Sequence, residues 1–130
     1  MKPIKFTIPI APITKKNHQQ IIYHSGRPMV IPSKQYLQYE KDAMWFLPNV
    51  DTIEEKVNVK AVFYMPTKRR VDLTNLLQAL LDVLVKYGIL ADDNSKVVFS
   101  VDGSYVDYDK ENPRTEVEIN GIFRRIITEE

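Results

Sequence analysis

The chain has 130 residues, the size of one ordinary domain, and 44% of them are hydrophobic, enough for a core without covalent staples. It contains no cysteine, which excludes a disulfide framework, a thiolate metal site and a cysteine nucleophile, and fits a reducing compartment such as the cytoplasm. With 18 basic residues against 17 acidic ones there is no global field to draw it onto nucleic acid, and no apolar run approaches the roughly 18 residues of a membrane span.

Pro3, Pro9 and Pro12 break the N-terminal stretch where a signal peptide needs an apolar core. Lys5–Ile10 reads as a short strand running into a proline-punctuated loop. Residues 14–28 are polar and read as an exposed loop or loose hairpin, with Arg27–Ile31 able to pair back as a second arm. Ser33 is placed to cap a helix running to about Phe46 and stopped by Pro48. Tyr36, Leu37, Tyr39, Ala43, Met44 and Leu47 recur at helical spacing, so Trp45 and most of the tyrosines are assigned to the core.

Lys56–Met65 alternates, with Val57, Val59, Ala61, Phe63 and Met65 on one side, and predicts a half-buried strand ended by Pro66. Leu73–Tyr87 is the strongest helix in the chain, with Gly88 as the residue just past its end. Val97, Phe99 and Val101 mark a further strand and Val117 and Ile119 a last one, separated by a loop rich in Gly, Asp, Asn and Pro. No repeat or linker divides the chain. The pattern predicts an α+β two-layer sandwich, a mixed sheet with helices on one face.

On the 73–87 helix, Leu73, Leu76, Leu77, Leu80, Leu81 and Leu84 form one apolar face, and Asn75, Gln78, Asp82 and Lys86 the opposite one. Asp72 opens that polar line and Asp92-Asp93 follow the turn after the helix. Taken alone, Asp72 reads as a helix cap, a role Thr74 could share, and Asp92-Asp93 as ordinary turn chemistry. Basic residues cluster at Lys15-Lys16, Lys68-Arg69-Arg70 and Arg124-Arg125. Basic groups flanking acidic ones suit a phosphodiester met by a carboxylate-held metal, although each cluster alone reads as surface charge. His18 and His24 have no metal-ligand companions at useful spacing and read as loop residues. The sequence has neither a phosphate-cradling glycine loop nor a Ser/His/Asp constellation.

The stretch KRRVDLTNLLQALLDVLVKYGILADDNSKVV resembles the centre of the RusA family of Holliday-junction resolvases. The matching residues are Arg69, Arg70, Asp72, Leu73, Asn75, Asp82, Gly88, Asp92 and Asp93. Weaker similarity runs from the polar N-terminal loop to the Asn112–Val117 approach to the last strand, so the resemblance implies one RusA-like nuclease domain over residues 1–130. It further implies an Mg²⁺-dependent, structure-specific endodeoxyribonuclease of recombination and repair that cuts four-way junctions in pairs. Asp72 and Asp93, with Asp92 next, are the implied metal ligands, Mg²⁺ and Mn²⁺ both being accepted by such oxygen donors. Arg69, Arg70 and Lys68, joined by Lys15, Lys16, Asn17 and Arg27, are the implied DNA contacts. Thr74, Asn75, Gln78, Asp82 and Lys96 are secondary candidates.

Two positions depart from the family pattern. Thr74 stands where a second acid is usual, and Gln78 where a lysine is usual, with Lys96 or Lys86 as substitutes. These changes leave a second reading open, a weakened or inactive branched-DNA-binding protein of the same fold. Reach adds an expectation about assembly. The helix runs roughly 22 Å and the four residues Gly88–Ala91 span at most about 14 Å, so one chain does not readily bring Asp72 and Asp93 onto one ion. A homodimer sharing each site between subunits is therefore expected, and its two-fold symmetry matches a symmetric junction.

Overall fold

The computed structural model describes residues 1–15 and 19–122. Five strands form one sheet: β1 (Ile4–Ile8), β4 (Val57–Met65), β5 (Val98–Ser100), β6 (Tyr105–Tyr108) and β7 (Arg114–Gly121). The order is β1-β7-β4-β5, and β6 also pairs with β4. β7 lies antiparallel between β1 and β4, whereas β5 and β6 run parallel to β4 on its other edge. Two strands, β2 (Gln19–His24) and β3 (Arg27–Pro32), form a separate antiparallel hairpin. Helices α1 (Lys34–Met44) and α2 (Leu73–Lys86) complete the described residues. The α+β two-layer reading holds.

Alternation explains how the layers meet. Val57, Val59, Ala61 and Phe63 of β4, Val117 and Ile119 of β7 and Ile8 of β1 point to one side. They share a core with Tyr36, Tyr39 and Ala43 of α1 and with Leu76, Leu77, Leu80, Leu81 and Leu84 of α2. The leucine face inferred from the sequence is the face α2 buries. At roughly 2 kcal/mol for each fully buried aliphatic side chain, this face fixes the helix against the sheet. The other sheet face is polar, crossed by Lys5–Glu118 and by Arg114 paired with Asp109 and Glu116.

The helix ends follow local chemistry. Ser33 Oγ accepts from Tyr36 N at 3.1 Å, the expected cap. At the end of α2, Gly88 takes φ +78°. Its N–H donates to Val85 O at 3.1 Å and Ile89 N–H to Leu84 O at 2.8 Å. This is a Schellman closure, with Ile89 and Leu84 both buried beside it.

Several expectations fail. Trp45 is not a core residue: it lies just past the last turn of α1 and is 78% exposed. Only Tyr36 and Tyr39 of the seven tyrosines are fully in the core. The loop expected after residue 101 contains the strand β6. β5 is shorter than its alternation suggested, and Phe99 faces outward, 51% exposed.

Candidate functional site

β4 delivers the chain through Pro66–Val71 to the start of α2, and α2 returns it along the sheet toward β5. This parallel crossover sets both acidic segments on the outer side of one helix. Asp72 occupies the cap position of α2, with extended backbone, yet its side chain makes no capping hydrogen bond. Instead its Oδ2 accepts from Asn75 Nδ2 at 3.1 Å. The helix dipole still favours a negative charge there. Asp72 is thus an exposed carboxylate held by one amide and not consumed in holding the helix.

The two residues of the Asp92-Asp93 pair separate clearly. Asp92 is spent on its own turn: Oδ1 accepts from Asp93 N at 2.7 Å and Oδ2 from Asn94 Nδ2 at 3.1 Å. Asp93 turns to the helix, where its Oδ2 meets Gln78 Nε2 at 3.4 Å. The same amide donates to Asp82 Oδ1 at 2.9 Å. Lys15 brings an ammonium to the other Asp82 oxygen, 3.6 Å away, and lies 6.0 Å from the centre of the Tyr36 ring. Gln78, Asp82, Asp93 and Lys15 therefore form one group, with Asp72 and Asn75 as a second group one turn along the same stripe.

The fold-back of Asp93 onto Gln78 goes further than the connection length alone suggested, because side chains span the last few ångströms. Asp72 and Asp93 still belong to different hydrogen-bonded groups. Among the described residues no three acidic or histidine side chains gather as a metal cluster. The donors suit a hard cation in kind, since carboxylate and hydroxyl oxygens line the stripe and Thr74 is exposed beside Asp72. In number, one chain offers one carboxylate in each group free of turn bonding and an ion pair.

The other candidates scatter. Arg69 and Arg70 are exposed just before Asp72, Arg69 N donating to Thr67 Oγ1 at 3.4 Å. Lys68 Nζ lies 5.2 Å from the centre of the Tyr108 ring. Lys96 is exposed in the turn before β5, and Arg27 sits at the tip of the separate hairpin opposite His24. Lys16, Asn17 and His18 lie outside the described residues, as do Arg124 and Arg125. Lys86 is not available to replace the missing lysine at position 78. It pairs with Glu40 of α1 and stacks near Tyr87 at the far end of the helix. Among the described residues, the cation that reaches Gln78's neighbours is Lys15. Tyr108 escaped the sequence reading because nothing in its short, charged segment announced a strand.

A family model described as endodeoxyribonuclease RusA matches residues 9–120. The chain belongs to the RusA family. It is also similar to the crossover junction endodeoxyribonuclease RusA of Aquifex aeolicus (strain VF5), 28% identical over 104 residues, covering 78% of this chain and 79% of that protein. The matched region includes both hydrogen-bonded groups, the basic run before α2 and all strands from β2 to β6. Among the described residues no helix is long and apolar enough to cross a membrane.

Proposed function

We propose that this RusA-family chain is an Mg²⁺-dependent, structure-specific endodeoxyribonuclease that resolves Holliday junctions by paired phosphodiester cleavage in recombination and repair. The reading rests on the family, on the name of the Aquifex relative and above all on one observation. Asp72 stands at a helix cap without capping, on the same polar stripe that Asp93 approaches through Gln78. A carboxylate left idle at the start of a helix is poor economy unless it serves a ligand.

In this reading Asp72 and Asp93 are the carboxylates that hold the ion, and Asp92 supports Asp93 through the turn. Mg²⁺ or Mn²⁺, when bound, activates water and neutralises charge growing on the scissile phosphate. The protein groups do the rest. Arg69 and Arg70 grip phosphates flanking the break and set the strand in line. Asn75 fixes the rotamer of Asp72, and the Gln78 amide steers Asp93. Lys15 offsets the charge of Asp82, so that Asp82 does not compete for the ion.

The chain acts as a homodimer in this proposal, with each site shared between subunits. Gln78 lies six residues beyond Asp72, a rise of about 9 Å, too far for both carboxylates to meet one ion without movement or a partner. Thr74 and Gln78 favour the second reading, a weakened or inactive protein that grips branched DNA, since neither supplies charge to the transition state.

One experiment separates the readings. A labelled four-way junction is incubated with Mg²⁺ and either the natural chain or Asp93→Asn. Paired nicks from the natural chain, lost in the variant, support the nuclease. Binding without nicks selects the second reading, and equal products from both proteins remove Asp93 from the chemistry.

A further inference from the structure

β6 carries two exposed tyrosines, and only one lies on the helix-side face of the sheet. Strand alternation decides which. β6 runs parallel to β4 with Phe63 opposite Val106 and Met65 opposite Tyr108. Phe63 lies in the core under the helices and Val106 packs against it, so Tyr108, two residues on, shares the helix-side face. Tyr105 and Asp107 point to the opposite, polar face. Tyr108 thus sits at the margin of the helix layer, where β4 leaves for α2, and is 38% exposed.

Its position is fixed from both directions. Tyr108 N donates to the Asp107 carboxylate at 2.8 Å, and Asp109 N donates to Met65 O at 2.9 Å. Asp109 is tied down again by Arg114 at 2.9 Å, which holds its carboxyl below the usual range. Above the ring stands the Lys68 ammonium, and four residues beyond Lys68 is Asp72. Four extended residues cover at most about 14 Å, the span of two or three nucleotides. A preorganised aromatic face, a cation over it and a nucleolytic carboxylate therefore lie within one short stretch of DNA.

A π-face and a phosphate-binding cation serve different parts of a nucleic acid. Lys68, Arg69 and Arg70 meet phosphates, which every DNA presents. A tyrosine ring stacks on a base only where the base has a free face, and a paired duplex offers none along its length. Branch points and unpaired ends do. We infer that Tyr108, flanked by Lys68, is a stacking platform for a nucleobase exposed at the branch, and that it contributes the preference for branched over linear DNA. The inference rests on the nuclease reading above and adds to it a residue that selects substrate shape.

The test measures binding in EDTA at fixed salt, using a four-way junction and a linear duplex of the same sequence. Tyr108→Ala is expected to weaken junction binding by about tenfold and duplex binding by less than about twofold, whereas Tyr108→Phe keeps both. A second measurement needs no variant. Junctions carrying 2-aminopurine at each branch nucleotide in turn should show quenching on binding the natural chain at one of them, and Tyr108→Ala should abolish it. Unchanged binding by Tyr108→Ala, equal losses on junction and duplex, or no quenching at any branch position would each overturn the platform while leaving the nuclease proposal standing. A natural chain that binds junction no better than duplex would instead bring down the functional reading and this inference together.

Discussion

The two ends of α2 treat their polar groups in opposite ways. At its C-terminal end several polar groups are engaged. Gly88 and Ile89 close the last carbonyls, Thr52 Oγ1 donates to Gly88 O at 2.8 Å, and Lys86 is locked to the nearly buried Glu40. At its N-terminal end the cap position holds a carboxylate that caps nothing, beside two exposed arginines and an exposed threonine. One end is built for stability. The other keeps charge exposed to water, as the proposed role in binding an ion and DNA requires.

Three substitutions test that contrast, from the largest effect to the smallest. Asp72→Asn should lower Mg²⁺-dependent junction cleavage by about 100-fold or more. Its unfolding free energy should change by less than about 1 kcal/mol, because only the dipole interaction is lost and no capping bond is broken. Denaturant titration beside a cleavage time course checks both; a large loss of stability would mean that the carboxylate is structural after all. Gly88→Ala should do the reverse and destabilise by about 1–2 kcal/mol through its left-handed backbone. There is space for the added carbon, Thr52 Oγ1 lying 3.7 Å from it, so conformation is the whole cost. Cleavage measured well below the melting temperature should be unaffected.

Glu40→Gln should cost about 1 kcal/mol or less, because Lys86 is half exposed and solvent screens the pair. The pH dependence has a definite sign. The hydrogen bond that Lys86 donates to Glu40 raises the Lys86 pKa, so the pair contributes fully below the ordinary lysine value and fades as pH climbs beyond it. A melting-temperature difference between the natural chain and Glu40→Gln should therefore shrink in strongly alkaline buffer. A constant difference up to that range would argue that the lost stability is packing and not charge.

What the sequence disclosed depended on how far each feature relied on its neighbours. β4 and α2 were legible because their periodicity is internal: alternation over nine residues in one, a leucine face with a terminal glycine in the other. β6 was not, since Tyr105–Tyr108 owes its extended form to β4 and lies between Gly103 and an Asp/Asn/Pro turn. Trp45 has the size of a core residue, but it lies nine residues from Tyr36, on the side of α1 opposite the buried Tyr36, Tyr39 and Ala43. The acidic residues of the candidate site could be named from the family pattern, not their conformations. Asp92 and Asp93 are chemically identical, and only the folded turn engages one and releases the other toward Gln78. Capping by Asp72 likewise hinged on a rotamer.

The position of β7 bears on how the protein is made. It lies between β1 and β4, with Ile119 opposite both Ile4 and Val59. As the chain leaves the ribosome, the first strand waits for a neighbour about 110 residues later in synthesis, and β4 has one edge bare for about 50 residues. The helix bearing Asp72 can lean on β4 early, but the sheet beneath it is sealed only when the last strand slides into the gap. Nascent molecules should therefore depend on holding that open seam apart from others like it.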